Sequence, residues 1–523
     1  MKKTFLALIL SVAMLCGLLT ACGSGTSPDG AQTSNDGAQS ADASVQAQEL
    51  SVGIAQDLDS LDPHKMVAAG TKEIMFNVFE GLVKPSPSGD LIPALAESWE
   101  ISDDRLTYTF ALRPNVKFHN GEIFTSADAL YSLMRLAGLD ESDNSADVVK
   151  LDALSALASM DTPDEMTLVL RLREPSNEFL SYLTAAIIPA DYAEQDTMPV
   201  GTGPFRFVSR TAQESVILER FNDYWGTPAA LEKVTCRVIE NADSILMSLQ
   251  SGAVDLFAHL TITQAQQLGD DFRVEEGYMN LVQALYLNNA VEPFNDVRVR
   301  QALCHAVDKR AIIDLAFDGY GFPIGSSMYP AFSKYFDDSL TDYYPHDVEK
   351  AKELLADAGY PEGFSMSITV PSNYKPHMDT AQVIAEQLKE IGVQANILPV
   401  EWETWLNDTY LGRNFESTVI GVDASNMTAR ALLERFTSAA GNNFINYNNA
   451  AYDNLFAEAQ SQADDAAQTE AYQAMERNLT ENAANVYIQD MADLVAVRKG
   501  LEGLQFYPIY VLDLYNLHWD EAA

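Results

Sequence analysis

Pro93-Ala-Leu-Ala-Glu-Ser-Trp99, Leu106-Thr-Tyr-Thr-Phe-Ala-Leu112 and Val116-Lys-Phe-His-Asn-Gly121 follow one another closely along the chain. The middle segment alternates apolar and polar residues, which is typical of a strand with one buried face. Arg113-Pro-Asn115 turns the chain into a second strand-like run, and Asn120-Gly121 is a turn signal. Thr125 with Asp128 three residues later predicts a capped helix start.

The size and charge of the chain exclude several classes of protein. Its 523 residues are too many for one hydrophobic core, so two or three domains are expected. The net charge of −42 argues against nucleic acid as a partner and against docking on anionic lipid. It indicates either simple solubility at a cell surface or a cationic ligand.

The first residues predict export and lipid anchoring. Met1-Lys-Lys3 is followed by an apolar run from Phe5 to Leu19, which is the pattern of a signal peptide over 1–22. Leu19-Thr-Ala-Cys22 resembles the bacterial lipobox, which implies that Cys22 is the lipidated first residue of the mature protein. The alternative is a secreted soluble protein with an incidental cysteine. Residues 23–49 are rich in Ser, Gly, Ala, Asp and Gln and predict a flexible tether reaching about 25–30 Å.

Beyond the tether, strand-like runs alternate with amphipathic helices, so the class is mixed α/β. Helices are predicted over 296–316, 348–358 and 381–391, and a strand over 393–398. No further apolar stretch is long enough to span a bilayer, so passage through a membrane requires partner chains.

The sequence lacks the familiar catalytic and metal-binding motifs. It contains no Gly-x-Ser-x-Gly, His-Glu-x-x-His or phosphate-binding loop, and its seven histidines are scattered. Cys236 and Cys304 are predicted to be buried free thiols. We expect no enzyme activity, no cofactor and no metal.

Ordered short motifs then give the chain a recognisable resemblance. Besides the three segments between Pro93 and Gly121, the matching segments are Leu61-Asp-Pro63, Phe79-Glu-Gly-Leu-Val83, Gly201-Thr-Gly-Pro-Phe205, Asp223-Tyr-Trp225, Gly252-Ala-Val-Asp255, Pro293-Phe-Asn-Asp296, Val299-Arg-Gln-Ala302 and Ala358-Gly-Tyr360. Together they resemble the family 5 extracellular solute-binding proteins, the group of oligopeptide, dipeptide and nickel binders, over nearly all of the chain after the tether.

The resemblance implies a clamshell fold of the type II periplasmic-binding-protein kind, with two lobes and an extra subdomain inserted in lobe I. Lobe I would comprise 50–82, 198–286 and 490–523, the inserted subdomain 83–197, and lobe II 287–489. The hinge would lie at the crossovers near Tyr286 and Asp490. The protein would be a monomer on the outer face of the plasma membrane, or facing the periplasm where a second membrane exists, and its partners would be ABC permease subunits.

The resemblance also suggests where a ligand binds. Peptide-binding relatives carry a tryptophan where this chain has Glu401-Trp-Glu-Thr-Trp-Leu406, which makes Trp402 the first candidate and leaves Trp405 as either a ligand contact or a core residue. The relatives then have Gly-Trp-x-x-Asp, whose aspartate pairs with the amino terminus of the peptide. Here the stretch is Gly421-Val-Asp-Ala-Ser425, so Ser425 stands at the aspartate position and Asp423 could supply the charge from the same face of a strand.

Tyr286 and Tyr447 are further candidates, because aromatic residues near a hinge or a cleft often stack on ligands. The predicted function is capture of a short peptide for an ABC importer. The alternatives are the same role with a sugar, opine or metal chelate, a surface hydrolase, and signalling or adhesion through the same fold.

Overall fold

The computed structural model describes residues 48–140, 147–239, 241–372, 374–424, 428–462 and 464–520. The predicted signal peptide, the lipidation site Cys22, the tether up to residue 47 and Ser425 lie outside the described residues. The structure itself is mixed α/β, as predicted.

Nineteen strands and twelve α-helices make up the described fold. The strands are β1 (Glu49–Ile54), β2 (Val83–Pro85), β3 (Leu91–Pro93), β4 (Ala96–Ile101), β5 (Thr107–Leu112), β6 (Leu157–Asp164), β7 (Thr167–Leu172), β8 (Phe205–Thr211), β9 (Ser215–Arg220), β10 (Lys233–Val238), β11 (Leu256–Phe257), β12 (Phe272–Leu287), β13 (Phe322–Pro323), β14 (Ser365–Pro371), β15 (Gln394–Val400), β16 (Ser417–Asp423), β17 (Asn485–Arg498), β18 (Leu501–Glu502) and β19 (His518–Trp519). The helices are α1 (Ala69–Met75), α2 (Ser126–Leu136), α3 (Ala242–Gln250), α4 (Ile262–Gln266), α5 (Val297–Ala306), α6 (Lys309–Phe317), α7 (Val348–Asp357), α8 (Lys375–Leu388), α9 (Trp402–Thr404), α10 (Arg430–Leu433), α11 (Ala450–Ser461) and α12 (Asp465–Glu481).

One large sheet is the central structural element of the described fold. Its strand order is β15-β14-β16-β12-β17-β11-β1-β10-β9-β8, with β13 added alongside β17. At one end β14 is parallel to both β15 and β16, and at the other end β1 is parallel to both β10 and β11. We call the first end lobe II and the second end lobe I.

Strands β12 and β17 are long, antiparallel to each other and shared by both lobes. Their ladder pairs Phe272–Tyr278 with 492–498 and resumes with Val282 opposite Asp490. Between these two paired segments the regular register is lost, and Asn280 adopts a positive φ of 60°. Main-chain pairing between β12 and β17 is therefore interrupted over residues 279–281, beside Asp490, and a second irregularity falls between Gln283 and Ala284, closer to Tyr286.

A separate four-stranded sheet, in the order β4-β5-β7-β6, belongs to the inserted part of the chain. Its own hydrophobic core draws buried residues from 82 to 200, including Phe110, Phe118 and Leu133. Helix α2 begins with the predicted capping box of Thr125 and Asp128. The prediction of a strand at 116–119 was wrong in part, because only an isolated bridge from Lys117 to Ile123 forms there.

The segment 93–121 lies where this insertion meets lobe I. The Arg113 guanidinium donates to the carbonyl of Ala94 at 3.1 Å and lies 4.0 Å from the ring centroid of Trp225. His119 accepts from the main-chain N–H of Gly201 at 3.3 Å and donates to the carbonyl of Gly203 at 3.0 Å. The stretch therefore fastens the insertion to the Gly201–Phe205 segment.

Other predictions were confirmed or corrected by local signals. Helix α7 matches the predicted 348–358, and Cys236 and Cys304 are buried free thiols. The single helix predicted over 296–316 is two helices, because the Asp308 carboxylate accepts from the N–H of Ala311 and starts α6 anew. Helix α8 begins six residues earlier than predicted, with Pro376 in its first turn. Every helix in the described part of the chain is too short or too polar to cross a bilayer.

A buried ion pair adds a second fastening between the insertion and lobe I. Arg135 of α2 donates from its two terminal nitrogens to the Asp62 carboxylate at 2.9 and 2.6 Å, and both side chains are almost completely buried. Burial alone would raise the pKa of Asp62, but the hydrogen bonds and charge of Arg135 hold it below its ordinary value. Removing one partner would leave an uncompensated charge in a dry site.

We therefore expect Arg135→Ala to lower the free energy of unfolding by about 3–5 kcal/mol. Chemical denaturation followed by circular dichroism measures this loss. The matched control is Arg171→Ala, which breaks a half-exposed ion pair with Asp161 and should cost about 0–1 kcal/mol. Equal losses in the two variants would contradict the structural role of the buried pair.

Candidate functional site

The carboxyl ends of the three parallel strands of lobe II bring together three candidate side chains. Tyr374 follows β14, Trp402 follows β15 and Asp423 ends β16. β14 runs parallel to β15 and to β16, so the carboxyl ends of the three strands lie on the same side of the sheet. In open α/β sheets, ligands bind in the crevice outside the carboxyl ends of parallel strands. This edge of lobe II is therefore the candidate binding edge.

Trp402 presents an exposed aromatic surface at this edge. It stacks on Trp405 with ring centroids 5.2 Å apart and 16° between the planes, and it meets Tyr374 edge to face at 5.4 Å. Trp402 and Tyr374 are 39% and 41% exposed, whereas Trp405 is 4% exposed and donates its Nε1–H to Thr418 Oγ1 at 2.9 Å. Trp405 thus packs against the inner face of the Trp402 ring, and the solvent-exposed aromatic surface is that of Trp402 and Tyr374.

Tyr286 and Tyr447 lie in the core of lobe II. Tyr286 is completely buried, and its hydroxyl donates to the carbonyl of Val282 at 3.0 Å. Tyr447 is almost completely buried, and its hydroxyl donates to Asn478 Oδ1 at 2.8 Å. Because neither ring has surface that a ligand could reach, Tyr286 and Tyr447 are no longer candidate ligand contacts.

The Asp423 carboxylate is exposed at the end of β16. Among the residues that the structure describes, none donates a hydrogen bond to it or forms an ion pair with it. Its neighbour across the strand pair is Leu281, whose N–H donates to Asp490 Oδ1 at 2.9 Å. Burial, together with the charges of Asp490 and Asp423, raises the pKa of Tyr329 well above its ordinary value. Asp423 therefore lies beside the break in the β12–β17 ladder.

A second cluster, which the sequence did not reveal, follows the carboxyl end of β11 in lobe I. His259 has Nδ1 2.8 Å from Asp493 Oδ1 and Nε2 3.1 Å from Glu73 Oε1. Burial alone would lower its pKa, but these two carboxylates raise the pKa of His259 to about 10. The ring is therefore an imidazolium that donates to both acids, and it stacks on the half-exposed Tyr510 at 4.5 Å.

The segment around Tyr507 lies near the interruption in the β12–β17 ladder and contacts residues from both sides of it. Asn280 donates through Nδ2 to the carbonyl of Tyr507 at 2.8 Å, and the Tyr329 hydroxyl lies 3.5 Å from the carbonyl of Pro508. Lobe II, the shared strands and the C-terminal segment of lobe I therefore meet at one place. Sequence reasoning missed these contacts because their members are far apart along the chain.

This arrangement suits binding better than chemistry. A free carboxylate attracts an ammonium or guanidinium group, and an exposed pair of aromatic rings packs against apolar or planar groups. The histidine in the lobe I cluster is committed to two carboxylates. Within the described ranges, no group of three or more His, Cys, Asp or Glu side chains is arranged to hold a metal ion.

Comparison with known proteins places the chain in a family. The family model of bacterial extracellular solute-binding proteins, family 5 (Middle), matches residues 90–444. Heme-binding protein A of Haemophilus influenzae is 32% identical over 410 residues, covering 71% of this chain and 74% of the relative. Glutathione-binding protein GsiB of Pectobacterium atrosepticum is 29% identical over 364 residues, covering 67% and 69%.

A solved structure shares the fold. The ABC transporter-associated periplasmic binding protein DppA from Helicobacter pylori, in complex with the peptide STSA, matches with a TM-score of 0.71 and 26% identity, over 90% of this chain and 98% of that one. The two-lobed, type II-like fold predicted from the sequence is thereby confirmed, and so is its role as a binding protein that is not an enzyme. The chain belongs to family 5 of the bacterial extracellular solute-binding proteins, which bind solutes outside the cytoplasm for ABC importers.

Proposed function

We propose that this protein captures a short peptide between its two lobes and delivers it to an ABC permease. The observation that carries the proposal is that the exposed Asp423 carboxylate ends β16 on the same side of the sheet as the exposed Trp402 and Tyr374, which follow β15 and β14. A peptide offers an amino-terminal ammonium for the carboxylate and an adjacent side chain for the rings. The names of the relatives add support, since glutathione is a tripeptide and DppA holds the peptide STSA.

Closure of the lobes follows from the same geometry. The binding edge of lobe II and the His259 cluster of lobe I each follow the carboxyl ends of parallel strands. A ligand that contacts both edges binds the closed state more tightly than the open state and so shifts the population towards closure. We place the hinge at the ladder break near Asn280 and Asp490, where main-chain pairing between β12 and β17 is interrupted.

A metal chelate is the second candidate cargo, favoured by the name of the haem-binding relative. Exposed aromatic rings also suit a flat macrocycle. Haem iron, however, needs an axial ligand such as a histidine. In α8, which begins beside Trp402, His377 is buried and its Nδ1 accepts from Gln283 Nε2 at 2.8 Å. His259 is held by two carboxylates, so the described site offers an amine partner more readily than an iron ligand.

The anchoring part of the proposal concerns the chain before residue 48. We propose that Cys22 carries the lipid and that residues 23–47 form a tether, so that the monomeric binding protein works beside its permease at the membrane surface. The predicted tether end at residue 49 is too late, because Glu49 already pairs with Lys233 in β1. Several acyl chains, each contributing about 0.8 kcal/mol per buried methylene, hold a protein firmly on a bilayer.

Replacing the exposed ring tests the aromatic contact. Trp402→Ala should weaken binding of a peptide such as Phe-Ala by at least about tenfold, or about 1.4 kcal/mol, because the stacking face is lost. Isothermal titration calorimetry measures the affinity. The control Leu411→Ala removes an exposed apolar side chain from the same segment and should leave the affinity unchanged. The same loss in both variants would argue against a specific role of Trp402.

Neutralising the acid tests recognition of the amine. Asp423→Asn should weaken Phe-Ala by about tenfold and leave N-acetylated Phe-Ala unaffected, because only the first carries an ammonium. Asp357→Asn is the matched control, since it removes the same charge from an exposed position on α7. If the wild type binds both peptides equally well, Asp423 is not the amine partner.

Replacing the cysteine tests the anchor. Cys22→Ser should move the protein from the membrane fraction to the soluble fraction of the producing bacterium and abolish incorporation of labelled palmitate. Cys304→Ser is the control, because that thiol is buried in lobe II. Continued labelling of Cys22→Ser would contradict lipidation at this residue.

A further inference from the structure

A cavity lies between lobe I and the start of the inserted subdomain. It has a volume of about 210 Å³, and its lining comes mainly from residues 76–92 and 505–516. None of the residues at the candidate binding edge of lobe II lines it. We call this space the lobe I cavity, and its chemistry is separate from that of the binding edge.

Four aromatic rings form part of the wall of the lobe I cavity. Tyr224 meets Tyr515 edge to face with ring centroids 5.7 Å apart, and Phe76 meets Tyr507 in the same way at 5.9 Å. An apolar cavity of about 150 Å³ is large enough to bind benzene. The lobe I cavity therefore has room for one six-membered ring that carries a small substituent.

Glu80, the first of two acids in the lining, is occupied by donors from the chain itself. Its Oε1 accepts from the Tyr224 hydroxyl at 2.8 Å, and its Oε2 accepts from Trp225 Nε1 at 2.8 Å and from Thr202 Oγ1 at 3.0 Å. Burial raises the pKa of Glu80, so its carboxyl group carries less negative charge than an exposed glutamate at the same pH. Glu80 thus fixes the Tyr224 ring in the wall.

Asp513, the second acid, is occupied in the same way. Its Oδ2 accepts from the Tyr507 hydroxyl at 2.6 Å and from Asn516 Nδ2 at 3.2 Å. Its Oδ1 accepts from the main-chain N–H of Tyr515 at 2.9 Å. One buried carboxylate therefore positions both tyrosines on this side of the cavity.

Lys84 is the third charged side chain in the lining, and it differs from the two acids. Among the described residues, none accepts a hydrogen bond from its ammonium group or forms an ion pair with it. The Nζ atom lies 5.8 Å from the ring centroid of Trp225 and 5.9 Å from that of Tyr515. An ammonium group has three donors and no acceptor, so a ligand that binds it has to supply the acceptor.

These contacts favour a ligand with a single negative charge. Aromatic rings and acids can also hold a cation. Here, however, the Lys84 ammonium already lies against two rings, and Glu80 and Asp513 have donors of their own. A doubly charged anion would meet both acids in the same lining with only one lysine to offset their charge.

We propose that the lobe I cavity is a second binding site, separate from the peptide cleft, for a small aromatic monocarboxylate. The ring of the ligand packs among Tyr224, Tyr507 and Tyr515, and its carboxylate accepts hydrogen bonds from the Lys84 ammonium. A charge-assisted hydrogen bond is roughly twice as strong as one between neutral groups. The site does not depend on a peptide cargo, so it can fail without the proposed function and the proposed function can fail without it.

Fluorine NMR with para-fluorobenzoate and the purified full chain tests the site. We expect a dissociation constant of about 1 mM or lower. The neutral analogue para-fluorobenzamide should bind the wild type at least about tenfold more weakly, because it lacks the charge. Lys84→Met keeps the apolar stem of the side chain and removes the ammonium, so it should weaken para-fluorobenzoate at least about tenfold and remove most of the difference between the two compounds.

A second variant blocks the space and keeps the charge. Ile92 lines the cavity and pairs with Lys84 across β2 and β3, so Ile92→Trp places a large side chain beside the ammonium and should also weaken para-fluorobenzoate at least about tenfold. The matched control is Lys233→Met, which removes the same charge from a half-exposed lysine paired with Glu49. This control and Trp402→Ala should each change the affinity less than about twofold.

Several results would overturn the proposal. These are no binding to the wild type up to about 10 mM, equal affinity of the wild type and Lys84→Met, or tighter binding of para-fluorobenzylamine than of para-fluorobenzoate. An equal loss in Trp402→Ala and Lys84→Met would place the ligand at the candidate binding edge instead. Binding of Phe-Ala, which tests the proposed function, is measured independently of all these results.

Discussion

Strands β12 and β17 run through both lobes, and this shared ladder constrains everything else in the molecule. An antiparallel ladder holds its strands through main-chain hydrogen bonds that cannot slide without turning every side chain to the other face. The pairing is interrupted between Tyr278 and Val282 and again between Gln283 and Ala284, so the shared ladder is least regular there. The first interruption lies beside Asp423 and Asp490, so the proposed hinge and the proposed amine partner are neighbours.

Buried polar and charged contacts lie at the seam between the insertion and lobe I. On the lobe I side, the buried Glu80 carboxylate accepts from Tyr224, Trp225 and Thr202 at 2.8–3.0 Å, and burial raises its pKa. Across the seam, Arg113 of the insertion lies against the same Trp225, and Arg135 of the insertion pairs with Asp62 of lobe I. Breaking such buried, charged contacts is expensive, so they hold the insertion firmly against lobe I. The hydrogen bond from Tyr472 to Glu178 joins the insertion to α12.

The sequence predicted the features that depend on neighbouring residues or on the family resemblance. The capping box of Thr125 and Asp128, the helix before Gly359 and the two-lobed fold are all of this kind. It misjudged 296–316 because apolar spacing runs through Asp308 although that residue caps a new helix. Trp402 and Trp405 are three residues apart and chemically identical, so only packing shows that one is open and the other buried. The lobe boundaries and the ligand contacts themselves stay predictions.

Features that depend on contacts between residues far apart in the sequence could not be predicted from any local sequence pattern. Glu73, His259 and Asp493 come together only when α1, the end of β11 and β17 are in place. Asn177 and Glu178 likewise read as an ordinary polar loop until α12 is placed opposite them. Short motifs in the sequence identify the fold, whereas the cleft is built from residues that no motif contains.

The contact between Glu178 of the insertion and Tyr472 of α12 is polar and buried. An apolar contact between the insertion and lobe II would favour closure with or without a ligand. The contact through Glu178 replaces water on a carboxylate by one tyrosine hydroxyl and a nearby arginine, and burial raises the pKa of Glu178 to about 6, which shows that desolvation opposes the charged form. This contact therefore gains less free energy from burial than an apolar contact of the same size would gain.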